Sequence, residues 1–174
     1  VVFSAHGSPP GDYAQARTRK LKVIDATCPL VTKVHNEAIK YESDESKIVL
    51  VGHRGHQEVR GTMGQAEMIL VDDSEGVNLP EWHRDTRVVL LTQTTLSVDD
   101  TAKTIKQIQN KFPNTVVRND LCYATTNRQH AVKKLARMVD IVLVIGSQNS
   151  SNCNRLMEVV RELGVKAYLI NGAE

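Results

Sequence analysis

Aromatic side chains are scarce: two Phe, four Tyr and one Trp make up 4% of 174 residues. Base-stacking platforms for single-stranded nucleic acid need more of them. Charge of one sign is not in excess either. The 22 Lys and Arg stand against 20 Asp and Glu, a net charge of +2, which excludes a strong global field for nucleic acid or a membrane surface. No run of about 20 apolar residues is present, so no helix is expected to span a bilayer. The pattern of a secretory signal, a basic segment followed by an apolar one, is not visible at the start. The three cysteines, Cys28, Cys122 and Cys153, are far apart and odd in number. That argues against a secreted disulfide framework and for a reducing compartment with working thiols. There is no Cys-x-x-Cys, and His53-x-x-His56 alone is a weak zinc pattern. The chain opens inside an apolar run, Val1-Val2-Phe3, with no initiator Met, and stops at Ile170-Asn171-Gly172-Ala173-Glu174 just after another. It reads as a fragment of a longer protein.

What the chain does have is alternation. At 41% hydrophobic and 24% charged it has the composition of an ordinary globular domain. Apolar runs bounded by turn residues occur at Val1–Ala5, Lys22–Ala26, Lys47–Gly52, Met68–Val71, Arg87–Thr92, Thr115–Val117, Ile141–Ile145 and Lys166–Ile170. They predict buried parallel strands. Between them lie helical patterns at Pro29–Tyr41, Ser97–Phe112, Thr125–Val139 and Asn152–Leu163. Ser97-Val-Asp-Asp resembles a capping box with an acidic first turn, while Pro113 and Gly164 are stop signals. Strand–helix repetition predicts an α/β fold with parallel sheets. Asp72–Asp85, polar and carrying Trp82, reads as a surface excursion.

The sequence also repeats. A shift of 94 residues lays Cys28 on Cys122, Thr32 on Thr126, Gly52 on Gly146, His56 on Ser150, Glu58 on Asn152 and Val59 on Cys153. A shift of 88 lays Val1–His6 on Val89–Thr94. The units read as 1–28, the remainder of a first one, 29–121 and 122–174, with the first and last truncated. In parallel α/β sheets ligands bind at the carboxyl ends of strands, and the repeat puts the chemically capable residues there.

Cys28 stands before Pro29, a residue suited to the first helical position, and Cys122 has the same setting. The positive end of a helix favours thiolate, the form that ligates metal or attacks. Either cysteine could instead be a small buried hydrophobe, which is the reading favoured for Cys153. Two repeat-related thiolates, with a third from the missing unit, suggest an iron–sulfur cluster with one iron left open as a Lewis acid. Ser150-Ser151-Asn152 could cap a helix or, with its free N–H groups, hold an anion. His6, His56 and Thr94 end strands that would add donors to the same place. Glu58 near a bound phosphate would favour its protonated form, which suits a proton donor; otherwise it is an exposed loop residue paired with Arg60. His35, His83 and His130 read as structural or surface residues.

Six segments carry a resemblance that covers nearly the whole chain. They are Phe3-Ser-Ala-His-Gly7, Asp25-Ala-Thr-Cys-Pro-Leu-Val-Thr-Lys-Val-His35, Gly55-His-Gln-Glu-Val-Arg-Gly-Thr-Met-Gly-Gln65, Thr92-Gln-Thr-Thr-Leu-Ser97, Cys122-Tyr-Ala-Thr-Thr-Asn-Arg-Gln129 and Gly146-Ser-Gln-Asn-Ser-Ser-Asn152. Together they resemble the LytB (IspH) family of 4-hydroxy-3-methylbut-2-enyl diphosphate reductases. The resemblance implies a pseudo-threefold trefoil of α/β units around a [4Fe–4S] cluster held by three Cys. The substrate hydroxyl meets the open iron and leaves as water, after two electrons and protons, giving isopentenyl and dimethylallyl diphosphate. Reduced ferredoxin or flavodoxin is the implied donor, and the bacterial cytoplasm or the plastid stroma the implied compartment. Cys28 and Cys122 match two cluster ligands; His6, His56, Ser150, Ser151 and Asn152 match diphosphate contacts. Glu58 matches the proton donor, and Thr94 a residue that relays protons and positions the hydroxyl. Segments with the third Cys, a further His and a last Ser are absent, and Cys153 stands where a small hydroxyl residue is expected. The chain alone is therefore expected to be inactive. Two other readings stay open: a non-catalytic diphosphate-binding module without metal, and a cysteine-nucleophile enzyme using Cys28 with His56 as base.

Overall fold

All eight apolar runs form strands, although several are trimmed. The computed structural model describes residues 1–44, 46–72, 74–118 and 120–172. The strands are β1 (Val2–Phe3), β2 (Ile24–Asp25), β3 (Lys47–Val51), β4 (Ile69–Val71), β5 (Val88–Thr92), β6 (Val116–Val117), β7 (Ile141–Ile145) and β8 (Lys166–Ile170). Among the described residues six helices join them: α1 (Pro10–Thr18), α2 (Pro29–Ser43), α3 (Gln57–Met63), α4 (Val98–Lys111), α5 (Tyr123–Ala136) and α6 (Ser151–Glu162). The chain divides into two compact units, Val1–Gln93 with Thr101–Asp120, and Thr94–Asp100 with Leu121–Glu174.

In the first unit β1 and β2 pair in parallel, Val2 opposite Ile24. A second parallel sheet has the order β4-β3-β5-β6, with Val49 opposite both Ile69 and Leu90. Its two inner strands are buried almost throughout: Val49, Val51 and Val88 to Leu91 are fully enclosed. That is how a parallel sheet covered on both faces reads in sequence. One core joins Val34, Ala38 and Tyr41 of α2 to Ile48 and Leu50 of β3, Val59 of α3, and Val89 and Leu91 of β5.

In the second unit β7 and β8 pair in parallel, Ile141 opposite Lys166. Ala136 of α5 and Val160 of α6 pack with Val142, Val144 and Ala167. Both helices thus serve one face of the pair. The alternate positions Ile141, Leu143, Ile145 and Tyr168 are exposed by half or more, where the sequence predicts a strand buried on both sides.

Helix ends follow the signals. Ser97 Oγ accepts from Asp100 N–H at 3.2 Å, and α6 stops before Gly164, which has φ 78°. Two helices are absent from the sequence reading. The first, α1, buries only Ala16, and α3 has seven residues. The segment Asp72–Asp85 holds no regular element among its described residues, and Asp73 lies outside them. It is more than an excursion: Leu79 is buried and Trp82 lies 5.7 Å from Phe112.

Truncating Leu91, fully buried in β5, to Ala should cost about 2–5 kcal/mol. Ile39→Ala, at a side chain 49% exposed on α2, should stay within ~0.5 kcal/mol. Urea unfolding followed by Trp82 fluorescence separates the two.

Candidate functional site

Each strand-to-helix junction leaves the first amides of its helix without intrahelical partners. The residue at that junction, the N-cap, is extended and sits at the carboxyl end of a strand. Four of the sequence-predicted residues occupy such positions: Cys28 before α2, His56 before α3, Cys122 before α5 and Ser150 before α6. The repeat is thereby expressed in backbone geometry. Cys28 and Cys122 have φ, ψ of −60°, 134° and −63°, 128°. Their amides donate to the carbonyl at a preceding strand end, Cys28 to Ala5 at 3.0 Å and Cys122 to Thr94 at 2.9 Å. Beyond His56 and Ser150 the helices sit tightly on a strand-end glycine. A Cβ on Gly52 would lie 2.6 Å from Val59 Cγ2, and one on Gly146 would lie 2.5 Å from Cys153 Sγ.

The first unit contains His6, Cys28, His56 and Glu58. The His6 and His56 rings meet edge to face, centroids 5.3 Å apart at 82°. His56 Nδ1 accepts the Glu58 N–H at 3.2 Å. Burial first, then the neighbouring His6 and His53, push His56 down to about 4. A neutral imidazole whose Nδ1 accepts carries its proton on Nε2, where it can be donated to an anion. Glu58 is 2% exposed and lies on α3. The alternative of an exposed loop carboxylate paired with Arg60 is therefore wrong, and Arg60 instead pairs with Asp12 at 2.9 Å.

Two residues that sequence reasoning missed hold the loop leading to His56. Gln93 Oε1, on a side chain that is 1% exposed, accepts His53 N–H at 3.0 Å. Asp72 Oδ2 accepts Arg54 N–H at 2.7 Å. Burial alone would raise the Asp72 carboxyl. The amides of Arg54 and Ser74, the Ser74 hydroxyl and His53 outweigh it and hold the group well below the usual carboxylate range. The only sequence signal was position, since each follows directly on a parallel strand.

The second unit contains Thr94, Cys122, Ser150, Ser151 and Asn152. Ser150 Oγ accepts from Cys153 N–H at 3.4 Å, so it does cap α6, and Ser151 Oγ lies 3.1 Å from Thr95 Oγ1. Thr94 is buried and Asn152 half-buried. Cys153 packs into the apolar cluster of this unit. All three cysteines are free thiols and half-buried. Among the described residues no group of three or more His, Cys, Asp or Glu converges to hold a metal ion. None of the described helices is long and apolar enough to cross a membrane.

The family model described as LytB protein matches residues 1–174. The chain belongs to the LytB family. It is 52% identical to the 4-hydroxy-3-methylbut-2-enyl diphosphate reductase of Saccharophagus degradans and 51% to that of Pseudomonas aeruginosa strain LESB58. In both cases all of the chain and 58% of the relative are covered. Among solved structures, the E-1-hydroxy-2-methyl-but-2-enyl-4-diphosphate reductase from Plasmodium falciparum matches with TM-score 0.90 at 37% identity, over 98% of this chain and 55% of that one. A second, the (E)-4-hydroxy-3-methyl-but-2-enyl diphosphate reductase that is the terminal enzyme of the non-mevalonate pathway, matches with TM-score 0.65 at 34% identity, over 98% of this chain and 62% of that one. The chain spans little more than half the length of these relatives. The α/β fold with parallel sheets is the LytB-family fold.

The neutral state of His56 makes stability depend on pH. Its value of about 4 in the fold lies below the ordinary 6.5. Between those values the unfolded chain binds a proton that the fold refuses, so stability falls as pH drops from 6.5 toward 4 and levels off beneath. His35, lowered mainly by burial, acts in the same direction. His56→Asn, which keeps a capping acceptor without the titration, should flatten this slope in urea midpoints measured against pH.

Proposed function

We propose that this chain is part of a 4-hydroxy-3-methylbut-2-enyl diphosphate reductase, which removes the substrate hydroxyl as water using two electrons and two protons. The observation that carries the reading is that Cys28 and Cys122 are equivalent helix caps in a chain matched by the LytB family along its whole length. The products are isopentenyl and dimethylallyl diphosphate, and a ferredoxin or flavodoxin supplies the electrons in a bacterial cytoplasm or plastid stroma. The units 1–28, 29–121 and 122–174 are the proposed domain organisation.

The two caps suit a [4Fe–4S] cluster. Both are free, half-buried thiols that make no side-chain capping bond, and each stands at the N-terminus of a helix. Cys28 and Cys122 would hold it together with a third cysteine from outside this chain. When bound, it would supply an open iron for the hydroxyl and a route for the electrons.

The remaining roles fall to the chain's own groups. His56, its proton on Nε2, donates to the diphosphate, and His6 stands beside it. Ser150, Ser151 and Asn152 add hydroxyl and amide donors at the start of α6. Glu58, enclosed and two residues beyond His56, delivers a proton to the departing hydroxyl. Thr94 orients that hydroxyl and passes the proton on.

The test is anaerobic iron–sulfur reconstitution of the full-length protein. Cys28→Ser and Cys122→Ser should each abolish the brown cluster absorbance and the turnover. Loss with Cys28→Ser alone would favour a cysteine nucleophile, and a colourless protein that still binds diphosphate would favour a non-catalytic module. Glu58→Gln should leave substrate binding largely intact and lower turnover by roughly 10²–10⁴-fold, read from single-turnover kinetics. The 174-residue chain by itself should show no turnover.

A further inference from the structure

The loop that carries His6 is gripped from two sides. It turns at Gly7, where φ is 76° and the N–H donates to Ser4 O at 3.1 Å; glycine adopts that conformation at no steric cost. On the α2 side, a Cβ on Gly7 would lie 2.7 Å from His35 Cε1 and 3.0 Å from Val31 Cγ1. Both side chains are buried. On the α3 side, a Cβ on Gly61 would meet the Gly7 carbonyl carbon and oxygen at 3.2 Å and Ser8 N at 3.3 Å. All three are backbone atoms, which cannot rotate aside as the end of a side chain can. Three residues on, a Cβ at Gly64 would lie 2.3 Å from Pro9 Cβ. Gln65 Nε2 ties the contact together, donating to Ser8 O at 3.2 Å and Gly61 O at 2.9 Å.

Glycine is a poor residue for a helix interior, and α3 has only seven residues. Its presence at Gly61 calls for a reason, and the Gly7 peptide supplies one. The helix that seats on Gly7 is the helix His56 caps, and Gly7 follows His6 directly. No rotatable side chain lies between the two backbones at this contact.

We propose that Gly61 is a positioning residue for the histidine pair: its bare Cα lets α3 seat on the Gly7 peptide, and that seat fixes His6 against His56. The consequence for anion binding rests on the function proposed above; the seat does not. Inorganic diphosphate is the probe that reads the consequence, and nuclear magnetic resonance of the labelled chain reads the seat.

Unmodified chain should give a nuclear Overhauser contact between the His6 and His56 rings, and both should shift on addition of inorganic diphosphate. Gly61→Ala should abolish the contact and weaken diphosphate binding by about tenfold, the loss of one charge-assisted hydrogen bond. The amide signals of β3 and β5 should stay in place. Gly11→Ala, where an added Cβ meets nothing within 4 Å, should leave both readings unchanged. Gln65→Ala keeps the glycine and drops the tie to Ser8, so it should reduce the contact in a chain that still folds. An undiminished ring contact in a folded Gly61→Ala overturns the proposal, as does one in Gln65→Ala should Gly61→Ala fail to fold. If the contact responds as expected but the unmodified chain does not bind diphosphate, the seat is upheld and the anion reading falls.

Discussion

Everything at these junctions depends on how a parallel strand hands over to a helix. The chain leaves the sheet at the strand's carboxyl end and must cap the next helix within a few residues. The cap therefore lies at the side of the sheet where ligands bind. Here the capping positions are Cys28, His56, Cys122 and Ser150. His56 and Ser150 accept an amide of their own helix, whereas the two cysteines make no side-chain capping bond. Cysteine is not among the favoured caps. A local preference broken at two equivalent positions, with no compensating hydrogen bond, is what a functional demand on those positions would produce.

The caps are held by a second layer that is polar where it meets loops and apolar where it meets helices. Gln93 and Asp72 take the amides of His53 and Arg54, which sets the loop before His56. Glycines do the opposite work by leaving space. Gly52 admits Val59 and Gly146 admits Cys153, so each helix closes onto the end of its strand. The thiol of Cys153 fills the place that a valine methyl takes in the other repeat. That gives a packing reason for this cysteine independent of any chemistry.

The extended elements were legible because parallel strands buried on both faces are simple apolar runs, as in Val88–Leu91. The four longer helices announced themselves by cap and stop signals, such as Ser97 and Gly164. The first and third helices did not, because neither is packed by an apolar stripe. The former buries Ala16 alone, and the latter buries Glu58, Gly61 and Thr62 beside Val59. Its contact is made through closeness, which leaves no periodic trace. The cysteines were legible through their 94-residue spacing. Gln93 and Asp72 were not, since their bonds span 40 and 18 residues and no local pattern encodes such a pairing. The burial of Glu58 was hidden because a carboxylate in a polar segment reads as exposed.

The two repeats then use one backbone for different chemistry. The first offers an imidazole at its cap, His56, and an enclosed carboxyl after it, Glu58; the second offers Ser150, Ser151 and Asn152. With a net charge of +2 the chain as a whole cannot draw a diphosphate from a distance. His56, Ser150, Ser151 and Asn152 are neutral near pH 7, His56 because burial holds it so. On the proposed reading these four would hold the anion by oriented dipoles rather than by fixed positive charge. Grip then depends on how accurately the donors are placed, since a neutral donor loses its bond with a small displacement while a charge acts over several ångströms. A site of that kind needs rigid junctions. The glycine seats and the buried Gln93 and Asp72 contacts are the parts of this fold that supply them.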